Sequence, residues 1–588
     1  MSSVIPFGLK LFPMKIVNII PHAMSGESHQ DSGPNIAVNP SNTNEIVISA
    51  LTPDPNGGSN APVYVSTDGG DTWSLKSIIP DNGPTGTSGA TLKYGHTSDE
   101  LYAGVLNGNN AYTASILRTT NPAGGATMTE IGIPPSGSEQ PYVAVGTVPG
   151  GPNAGKDRLY VGMNFPPAPF GTGQTSTIMQ TMDAQAPITL FSSISIDSRV
   201  KSAPPFQDLQ PPRNGPQVRP AVHRDGTVYA VFYSWKTWKD PGDGNGLVTA
   251  DVVIVRDDNW GQSAVPYGSL TDSGDAQAGQ RIVLDVPIKF YGSLGQERTG
   301  GELSIAVDPT NSSIVYVAWS ERQTNSNGTD TFWLHLRRST DRGQTWPTSN
   351  LLTIRNGKNP ALAINNKGQI GFLYQQLTGQ TSSQKWETHL TFSEDTVHWN
   401  NIVLARTPAA TPVRQFFPYI GDYADIVAVG DTFFGVFCAN NTPSLQNFPQ
   451  GVTYHRNHNF TTKTLFNLNG TTPVAPSIDP FFFKTGFIPP VVQVPSLGAM
   501  GAVVIILFGI IQDGGGAYID GLGHIHIVGP GDPGPAWDYL VNLAEYRLAT
   551  NLDGRAGLEM QKLALQNIIN LANDHISQIN GQLGQAGE

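Results

Sequence analysis

The stretch VSTDGGDTWS occupies residues 65–74, and its pattern returns as RRSTDRGQTWPTS at residues 337–349. In such an octet the Asp carboxylate can accept backbone N–H groups of its own turn, and the Gly permits a positive φ. The pattern therefore predicts a locked turn between two strands, with the Trp covering the edge of a core. The residues predicted to have this structural role, including those of the shortened copy TFSEDTVHWNN, are Ser66, Asp68, Gly70, Trp73, Ser339, Asp341, Gly343, Trp346, Asp395 and Trp399.

The sequence around the octets repeats a strand–turn–strand pattern. Residues 33–50 and 301–319 both read as an apolar strand, an Asn/Asp-Pro turn and a second apolar strand, which is the signature of a β-hairpin. Each hairpin precedes two further strand-like runs, so the repeating unit is a four-stranded sheet. Weaker copies begin at residues 90, 141, 219, 360 and 418. Four-stranded sheets repeated about 4–8 times around an axis form a β-propeller, and the run KIVNII (15–20) is expected to close the ring.

The octet resembles the Asp box, or bacterial neuraminidase repeat, of the sialidase superfamily. The resemblance covers roughly residues 30–470. It implies an all-β fold, a β-propeller of seven four-stranded blades, in which the octets lie on the rim away from the active mouth. The expected organisation is an N-terminal segment (1–29), the propeller (30–470), a Pro-rich linker (471–496) and a small apolar and α-helical appendage (497–588).

The resemblance also implies a type of active site. Sialidases hold the substrate carboxylate with three arginines and use a tyrosine nucleophile, a glutamate and an aspartate acid/base. The arginine segment that precedes the first octet in that family is absent, because the first arginine of this chain is Arg118. The candidate catalytic residues are Asp31, Glu139, Glu302, Tyr419 and Asp422. The candidate ligand-binding residues are Tyr142, Arg219, Trp235, Glu321, Arg322, Arg414 and Tyr423. The alternative is that these residues pair across blades to close the ring, and that Trp235 and Trp238 pack against a neighbouring blade.

Composition limits the partners. Only 14% of residues are charged and the net charge is −12, against about 25% charged residues in ordinary soluble domains. No basic run is present, so nucleic acid is not expected as a partner. Cys438 is the single cysteine, and we interpret it as a buried core residue. The low charge favours an extracellular or cell-surface location, although lysines interrupt the apolar N-terminus and no clear signal peptide is recognised.

The sequence changes character after residue 470. The apolar run 497–511 is shorter than the about 20 residues that span a membrane, so it predicts burial in an assembly or contact with a membrane. His524 and His526 alternate as a metal pair would, but no third ligand is near, and neither a metal nor a cofactor is expected. Residues 536–583 follow a helical period with one apolar stripe. We expect residues 497–583 to dock on a protein partner or to self-assemble.

Three functions are compatible with these features. The first is a propeller that recognises a glycan or glycoprotein surface and is displayed by its C-terminal segment. The second is an exo-α-sialidase-type glycoside hydrolase. The third is a structural subunit of a large extracellular or phage-like assembly.

Overall fold

The described part of the chain consists mainly of β-strands, which are joined by loops that include three short 3-10 turns. The computed structural model describes residues 10–11, 14–50, 59–80, 86–107, 113–135, 138–165, 175–199, 217–239, 247–289, 302–324, 328, 330–380, 383–409, 412, 420–421, 423–488, 516–519 and 525–528. The 3-10 turns are His22–Met24, Pro122–Gly124 and Gly151–Asn153.

Six sheets have four antiparallel strands that follow one another along the chain. Sheet 1 contains β3 (Asn35–Val38), β4 (Ile46–Ser49), β5 (Val63–Ser66) and β6 (Ser74–Lys76). Sheet 2 contains β7 (Thr87–Tyr94), β8 (Leu101–Asn107), β9 (Ala114–Thr119) and β10 (Thr129–Gly132). Sheet 3 contains β11 (Glu139–Thr147), β12 (Asp157–Phe165), β13 (Thr175–Thr181) and β14 (Ser192–Ser195). Sheet 4 contains β15 (Val218–Val222), β16 (Val228–Lys239), β17 (Leu247–Asp257) and β18 (Gln280–Lys289). Sheet 5 contains β19 (Leu303–Asp308), β20 (Asn311–Thr324), β21 (Asp330–Ser339) and β22 (Leu352–Arg355). Sheet 6 contains β23 (Gly357–Ile364), β24 (Ile370–Thr378), β25 (Lys385–Ser393) and β26 (Asn400–Pro408).

Sheet 7 combines strands that are distant in sequence, from residues 10–18 and residues 425–488. Its central order is β27 (Asp425–Val429), β28 (Thr432–Asn440), β33 (Ile478–Ile488) and β2 (Lys15–Asn18). The N-terminal strand pairs antiparallel with β33, with Lys15 opposite Lys484 and Asn18 opposite Phe481. Two short strands extend this sheet: β29 (Thr453–Tyr454) pairs parallel with β2, and β1 (Lys10–Leu11) pairs with β33.

The seven sheets are arranged in a ring. The first strand of each sheet lies against the first strand of the next, in the order β3, β7, β11, β15, β19, β23, β27 and again β3. The all-β class and the four-stranded antiparallel unit predicted from the repeats are therefore confirmed. We refer to these seven first strands as the inner strands, and to the line around which they are arranged as the axis.

The hydrophobic cores lie between adjacent sheets, because both faces of a sheet are apolar and each face packs against one neighbouring sheet. β16 and β17 are rich in β-branched and aromatic residues, which suit a pleated surface buried on two sides. One cluster joins sheets 4 and 5 through the fully buried Val231, Val252, Val317 and Trp319. Another joins sheets 1 and 7. Its members include Val17, Ile36, Trp73, Phe434 and Phe482.

Residues 478–488 differ from their predicted role as part of a linker. Proline at 476 and 480 suggested an irregular segment, but Phe481, Phe482 and Phe483 are completely buried between β28 and the N-terminal strand. Only partners distant in sequence complete this strand, so its local composition was misleading. The preceding residues form a small sheet of β30 (His458–Asn459), β31 (Thr464–Phe466) and β32 (Pro473–Val474).

The chain divides into two units, residues 15–486 and residues 1–14 with 487–588. In the second unit, β34 (Gly516–Ile519) pairs with β35 (Ile525–Val528). His526 lies in β35. The predictions for the apolar run 497–511, for His524 and for the helical stripe 536–583 lie outside the described residues. No helix within the described ranges is long and apolar enough to cross a membrane.

Candidate functional site: an axial pocket

The octets form the locked turns that the sequence predicts. In the first, the Ser66 hydroxyl donates to Asp68 Oδ1 (2.8 Å) and accepts the Gly70 N–H (2.9 Å). Asp68 also accepts the N–H (2.8 Å) and hydroxyl (2.5 Å) of Thr72, and Trp73 Nε1 donates to the Gly70 carbonyl (3.3 Å). The second octet repeats these bonds from Ser339 to Trp346 with distances of 2.5–3.1 Å. In the shortened copy, Asp395 accepts the N–H groups of residues 397 and 398 (both 2.8 Å), and Trp399 Nε1 donates to the Thr396 carbonyl (3.1 Å).

The octets lie at the edge of the ring where the inner strands end. Strands β3 and β5 both pair antiparallel with β4, so they run in the same direction. The octet begins at Ser66, the last residue of β5, and is therefore level with the end of β3. Sheet 5 repeats this, since Ser339 is the last residue of β21. The opposite edge of the ring carries the beginnings of the inner strands.

A pocket lies on the axis at that opposite edge. Its cavity volume is about 20 Å³, and it is bordered by the beginnings of five inner strands and by the residues before β27. The lining residues are Asn35, Tyr142, Gln217, Arg219, Glu302, Leu303, Ser304, Asn359, Pro360, Ala361, Tyr423 and Ala424. Four residues predicted from the sequence meet here: Tyr142, Arg219, Glu302 and Tyr423.

Arg219 lies between two tyrosine rings. Its guanidinium carbon is 4.3 Å from the centre of the Tyr142 ring and 5.6 Å from that of Tyr423, so cation–π attraction holds it. Its Nη2 donates to Gln217 Oε1 (2.9 Å) and its Nη1 to the Val218 carbonyl (3.3 Å). Although its backbone belongs to sheet 4, this arginine therefore contacts rings contributed by sheet 3 and by the approach to sheet 7.

Glu302, a lining residue, forms a buried ion pair with Lys358. The ammonium contacts Glu302 Oε1, and it also lies 5.4 Å from the centre of the Phe332 ring. Only 2% of the Lys358 side chain and 10% of the Glu302 side chain are exposed. A buried pair needs such close geometry to offset the loss of hydration. The neighbouring Asn359 donates to Gln375 Oε1 (2.8 Å) and to the Gly421 carbonyl (3.0 Å).

A second cavity of about 220 Å³ shares Tyr142, Arg219 and Ser304 with this pocket and is also lined by Lys93 and Asp425. Asp425 Oδ2 accepts from Asn35 Nδ2 (2.7 Å) and from the Ile36 N–H (3.3 Å). Burial raises the pKa of Asp425, while Lys93 and the backbone N–H groups of Ile36 and Ile426 oppose that shift. Burial likewise raises the pKa of Tyr142 well above its usual range, and the Asp425 carboxylate adds to the effect. The Tyr142 phenol is therefore neutral around pH 7.

Amides, a carboxylate and hydroxyls join the inner strands to one another. Asn35 Oδ1 accepts the Leu92 N–H (2.6 Å) and Gln217 Oε1 accepts the Leu303 N–H (3.1 Å). The Leu362 N–H donates to the Ser304 hydroxyl (3.0 Å). Sequence reasoning considered Arg–Glu pairs for this role and overlooked Asn35, Gln217, Lys358 and Asn359. The signal that could have found them is position, since each lies at the start of an inner strand.

Asp31 lies in a separate, fully buried cluster. Its carboxylate accepts the Tyr64 hydroxyl (3.1 Å) and its carbonyl accepts the Cys438 thiol (3.1 Å). Burial, followed by the Asp31 and Asp479 carboxylates, raises the pKa of Glu27 to about 10, although Arg456 opposes the shift. Arg456 Nη1 donates to Asp479 Oδ2 (3.1 Å), and both residues are buried. Asp31 therefore joins a buried network between Tyr64 of sheet 1 and Cys438 of sheet 7, and it is not among the lining residues of the axial pocket.

The other predicted site residues are dispersed. Trp235 packs against the core of sheets 4 and 5. Glu321 Oε1 accepts from Gln323 Nε2 (2.7 Å) and lies 3.4 Å from His335 Nε2, whereas Arg322 is buried over the Phe332 ring (4.7 Å). Glu139 begins β11, but its side chain and that of Trp238 are not described. Arg414, Tyr419 and Asp422 lie outside the described residues. Within the described part of the chain, no group of three His, Cys, Asp or Glu residues could hold a metal ion.

No protein family matches this chain, and no curated protein sequence matches it. Solved structures with a similar arrangement include the GH93 α-L-arabinofuranosidase of Fusarium graminearum with arabinobiose, at 10% identity, 80% coverage of this chain, 97% of that chain and a TM-score of 0.36. The α-L-arabinanase of Penicillium chrysogenum complexed with arabinobiose has 12% identity, coverage of 79% and 97%, and a TM-score of 0.33. The endo-arabinase of Bacteroides thetaiotaomicron has 12% identity, coverage of 66% and 96%, and a TM-score of 0.28. These similar structures are glycan-active enzymes, but similarity at this level does not identify a substrate for this chain.

Proposed function

We propose that this chain is a seven-bladed, sialidase-like β-propeller that recognises a glycan on its axis, at the pocket and the larger cavity that adjoins it. One observation carries the proposal: two tyrosine rings, a guanidinium, a carboxylate and a carboxamide from different sheets converge on one concave site. Binding pockets combine apolar or aromatic walls with a few convergent polar groups. A saccharide matches this combination, because its C–H faces stack on aromatic rings and its hydroxyls bond to planar polar groups.

Recognition is favoured over hydrolysis by the acid–base groups available. Glycosidases of most families use a pair of carboxyl groups beside the scissile bond, and among the described residues lining the mouth of the pocket only Glu302 has a carboxylate. That carboxylate is ion-paired with Lys358. A tyrosine nucleophile of the sialidase type needs activation, whereas the raised pKa of Tyr142 keeps its phenol neutral.

The test is glycan binding by the full chain and by two variants. Arg219→Lys removes the planar group between the tyrosine rings, and we expect at least tenfold weaker binding of any glycan that the wild type retains on a glycan array. Arg337→Lys is the matched control, because Arg337 also lies over an aromatic ring, that of Trp319 (5.1 Å), but outside the pocket. Equal losses in both variants would contradict a site at the axis. The wild-type protein should release no product from a fluorogenic sialoside. If the wild type does turn this substrate over and Glu302→Gln abolishes the turnover, the hydrolase function would be favoured instead.

The C-terminal segment is the candidate for displaying this propeller. We propose that residues 497–583 anchor the propeller to a protein assembly or a membrane surface outside the cell, because their sequence combines an apolar run with a stretch whose apolar residues recur at a helical period, and an exposed apolar patch marks an interaction site. If no glycan binds, and deletion of residues 497–588 abolishes association of the full chain, the structural role in an assembly would be favoured.

A further inference from the structure

The cavity of about 220 Å³ that adjoins the pocket, here called the axial cavity, contains a lysine whose charge is only loosely paired. Lys93 lines this cavity, and 27% of its side chain is exposed. Its ammonium nitrogen is 3.9 Å from Asp425 Oδ2, which is beyond hydrogen-bond distance. By contrast, Lys236 and Lys367 approach their carboxylate partners to 2.7 and 2.8 Å. Asp425 therefore uses none of the N–H groups of Lys93, and they can donate to a ligand.

The Asp425 carboxylate is satisfied by other groups. Its Oδ2 accepts from Asn35 Nδ2 (2.7 Å) and from the Ile36 N–H (3.3 Å), and its Oδ1 accepts the Ile426 N–H (2.9 Å). Hydrogen bonds of this kind stabilise a carboxylate without a cation in contact with it. A ligand that enters the axial cavity thus meets an ammonium with free donors, next to a carboxylate whose two oxygens already accept hydrogen bonds.

The charge of the axial cavity favours an anion. Its charged lining residues are Lys93, Arg219 and Asp425, so positive charge is in excess, although the whole chain has a net charge of −12. The neutral phenol of Tyr142, another lining residue, adds a hydrogen-bond donor. Ion pairs are stronger beside apolar walls than in bulk water. The aliphatic residues of the lining include Val145, Val222, Val307 and Ile364.

We propose that the axial cavity binds a small oxyanion, a carboxylate or a sulfate group, through the ammonium of Lys93. One water molecule needs about 10–15 Å³ of cavity volume, so about 220 Å³ admits an acidic group together with one sugar ring. The oxyanion is either a free anion or a substituent of the glycan, and in the second case the inference rests on the proposed function and deepens it. The sialidase resemblance implies a different arrangement, in which three arginines hold a carboxylate. Lys93 is a single lysine on the inner strand of sheet 2, and the resemblance did not predict it.

The first experiment titrates glucuronate, glucose, acetate and sulfate into the full-length protein at constant ionic strength, with binding measured by calorimetry. Glucuronate should bind at least tenfold more tightly than glucose, from which it differs by a carboxylate in place of a –CH₂OH group. Acetate or sulfate that binds as tightly as glucuronate would identify the ligand as a free oxyanion. Acetate and sulfate that bind at least tenfold more weakly would assign the oxyanion to a sugar. Equal affinities for glucuronate and glucose, or no binding of any of the three anions, would overturn the inference.

The same titrations separate this inference from the proposed function. Binding of acetate or sulfate by a protein that retains no glycan on an array would overturn glycan recognition and support the oxyanion site. Array hits that are all neutral, together with no binding of any anion, would overturn the oxyanion site and leave glycan recognition intact.

The second experiment removes the charge of Lys93. Lys93→Met keeps an unbranched side chain and should weaken binding of the best anion at least tenfold, whereas Lys93→Arg should retain most of the affinity. Lys93→Gln repeats the test if Lys93→Met does not fold. Lys385→Met is the matched control, because Lys385 pairs with Glu387 (3.1 Å) on the third strand of sheet 6 and is not a lining residue of the cavity. Unchanged anion affinity in the uncharged Lys93 variants, or an equal loss in Lys385→Met, would contradict the assignment.

Discussion

The two octet glycines offer a matched test of how the ring closes. Gly70 has φ +91° and Gly343 has φ +77°, so alanine meets similar backbone strain at both sites. Their surroundings differ. A Cβ added at residue 70 would lie 2.1 Å from the Phe482 ring, whereas the nearest atom to a Cβ at residue 343 is Leu270 Cδ1 at 3.5 Å. Phe482 belongs to the strand that joins the N-terminal strand to sheet 7, and its ring also packs against Trp73 (5.3 Å).

The expected costs follow from these contacts. Left-handed backbone costs a non-glycine residue about 1–2 kcal/mol, so Gly343→Ala should lower the free energy of unfolding by about that amount. Gly70→Ala carries the same strain, and in addition the Phe482 ring must move, which for an overpacked core costs about 1–3 kcal/mol. The difference between the two variants should therefore be about 1–3 kcal/mol, with Gly70→Ala the less stable.

Urea unfolding, followed by tryptophan fluorescence and far-ultraviolet circular dichroism, measures this difference. The smaller side chain of the variant Phe482→Leu should relieve the collision with the added Cβ at residue 70. In that background, Gly70→Ala should lower the free energy of unfolding by no more than Gly343→Ala does in the wild type. Equal destabilisation by the two glycine variants, or an undiminished cost in the Phe482→Leu background, would refute the reasoning that the first octet is pressed against the closing strand.

Three further predictions concern stability. Asp341→Ala should lower the free energy of unfolding by roughly 0.5–1.5 kcal/mol without changing glycan affinity, because the Thr345 bonds that it removes are exposed to solvent. Burial alone would raise the pKa of Asp341, but bonds from Thr345 and Ser339 lower it, so this contribution should be lost in melts as pH falls below about 4. Glu27 has a pKa raised from 4.5 to about 10, so the folded state retains a proton that the unfolded state loses and stability declines as pH rises between these values. Glu27→Gln should flatten this decline. Parallel pH profiles of the melting temperature for the wild type and the variant would contradict the prediction. A chain ending at residue 475 lacks β33 and should not fold, whereas one ending at residue 488 should give a β-rich circular dichroism spectrum; a folded shorter chain would show that sheet 7 does not need this strand.

The sequence was informative where the deciding interactions are local. Each octet makes its hydrogen bonds within eight residues, so its amino-acid sequence alone predicts the turn without knowledge of any tertiary contact. The same locality explains one omission: in sheet 4, Asp257 accepts the N–H groups of Asn259 and Gly261 (both 2.8 Å). This turn is also organised by an aspartate, but its sequence differs from the octet, so the motif did not reveal it. Alternating apolar runs likewise predicted the four-stranded units, because their period of two is a property of the strand itself.

Tertiary structure decided which polar residues face one another. Glu302 and Asp31 both precede inner strands in the sequence, yet Glu302 borders the axis and Asp31 is buried between sheets 1 and 7. The FFF run at 481–483 became a central strand only because β28 and the distant residues 15–18 supply its hydrogen bonds. Local patterns set which residues extend and which turn. The closure of the seven sheets into a ring decides where a side chain at a strand end points and which residue it contacts. That closure depends on contacts between residues hundreds of positions apart in the sequence.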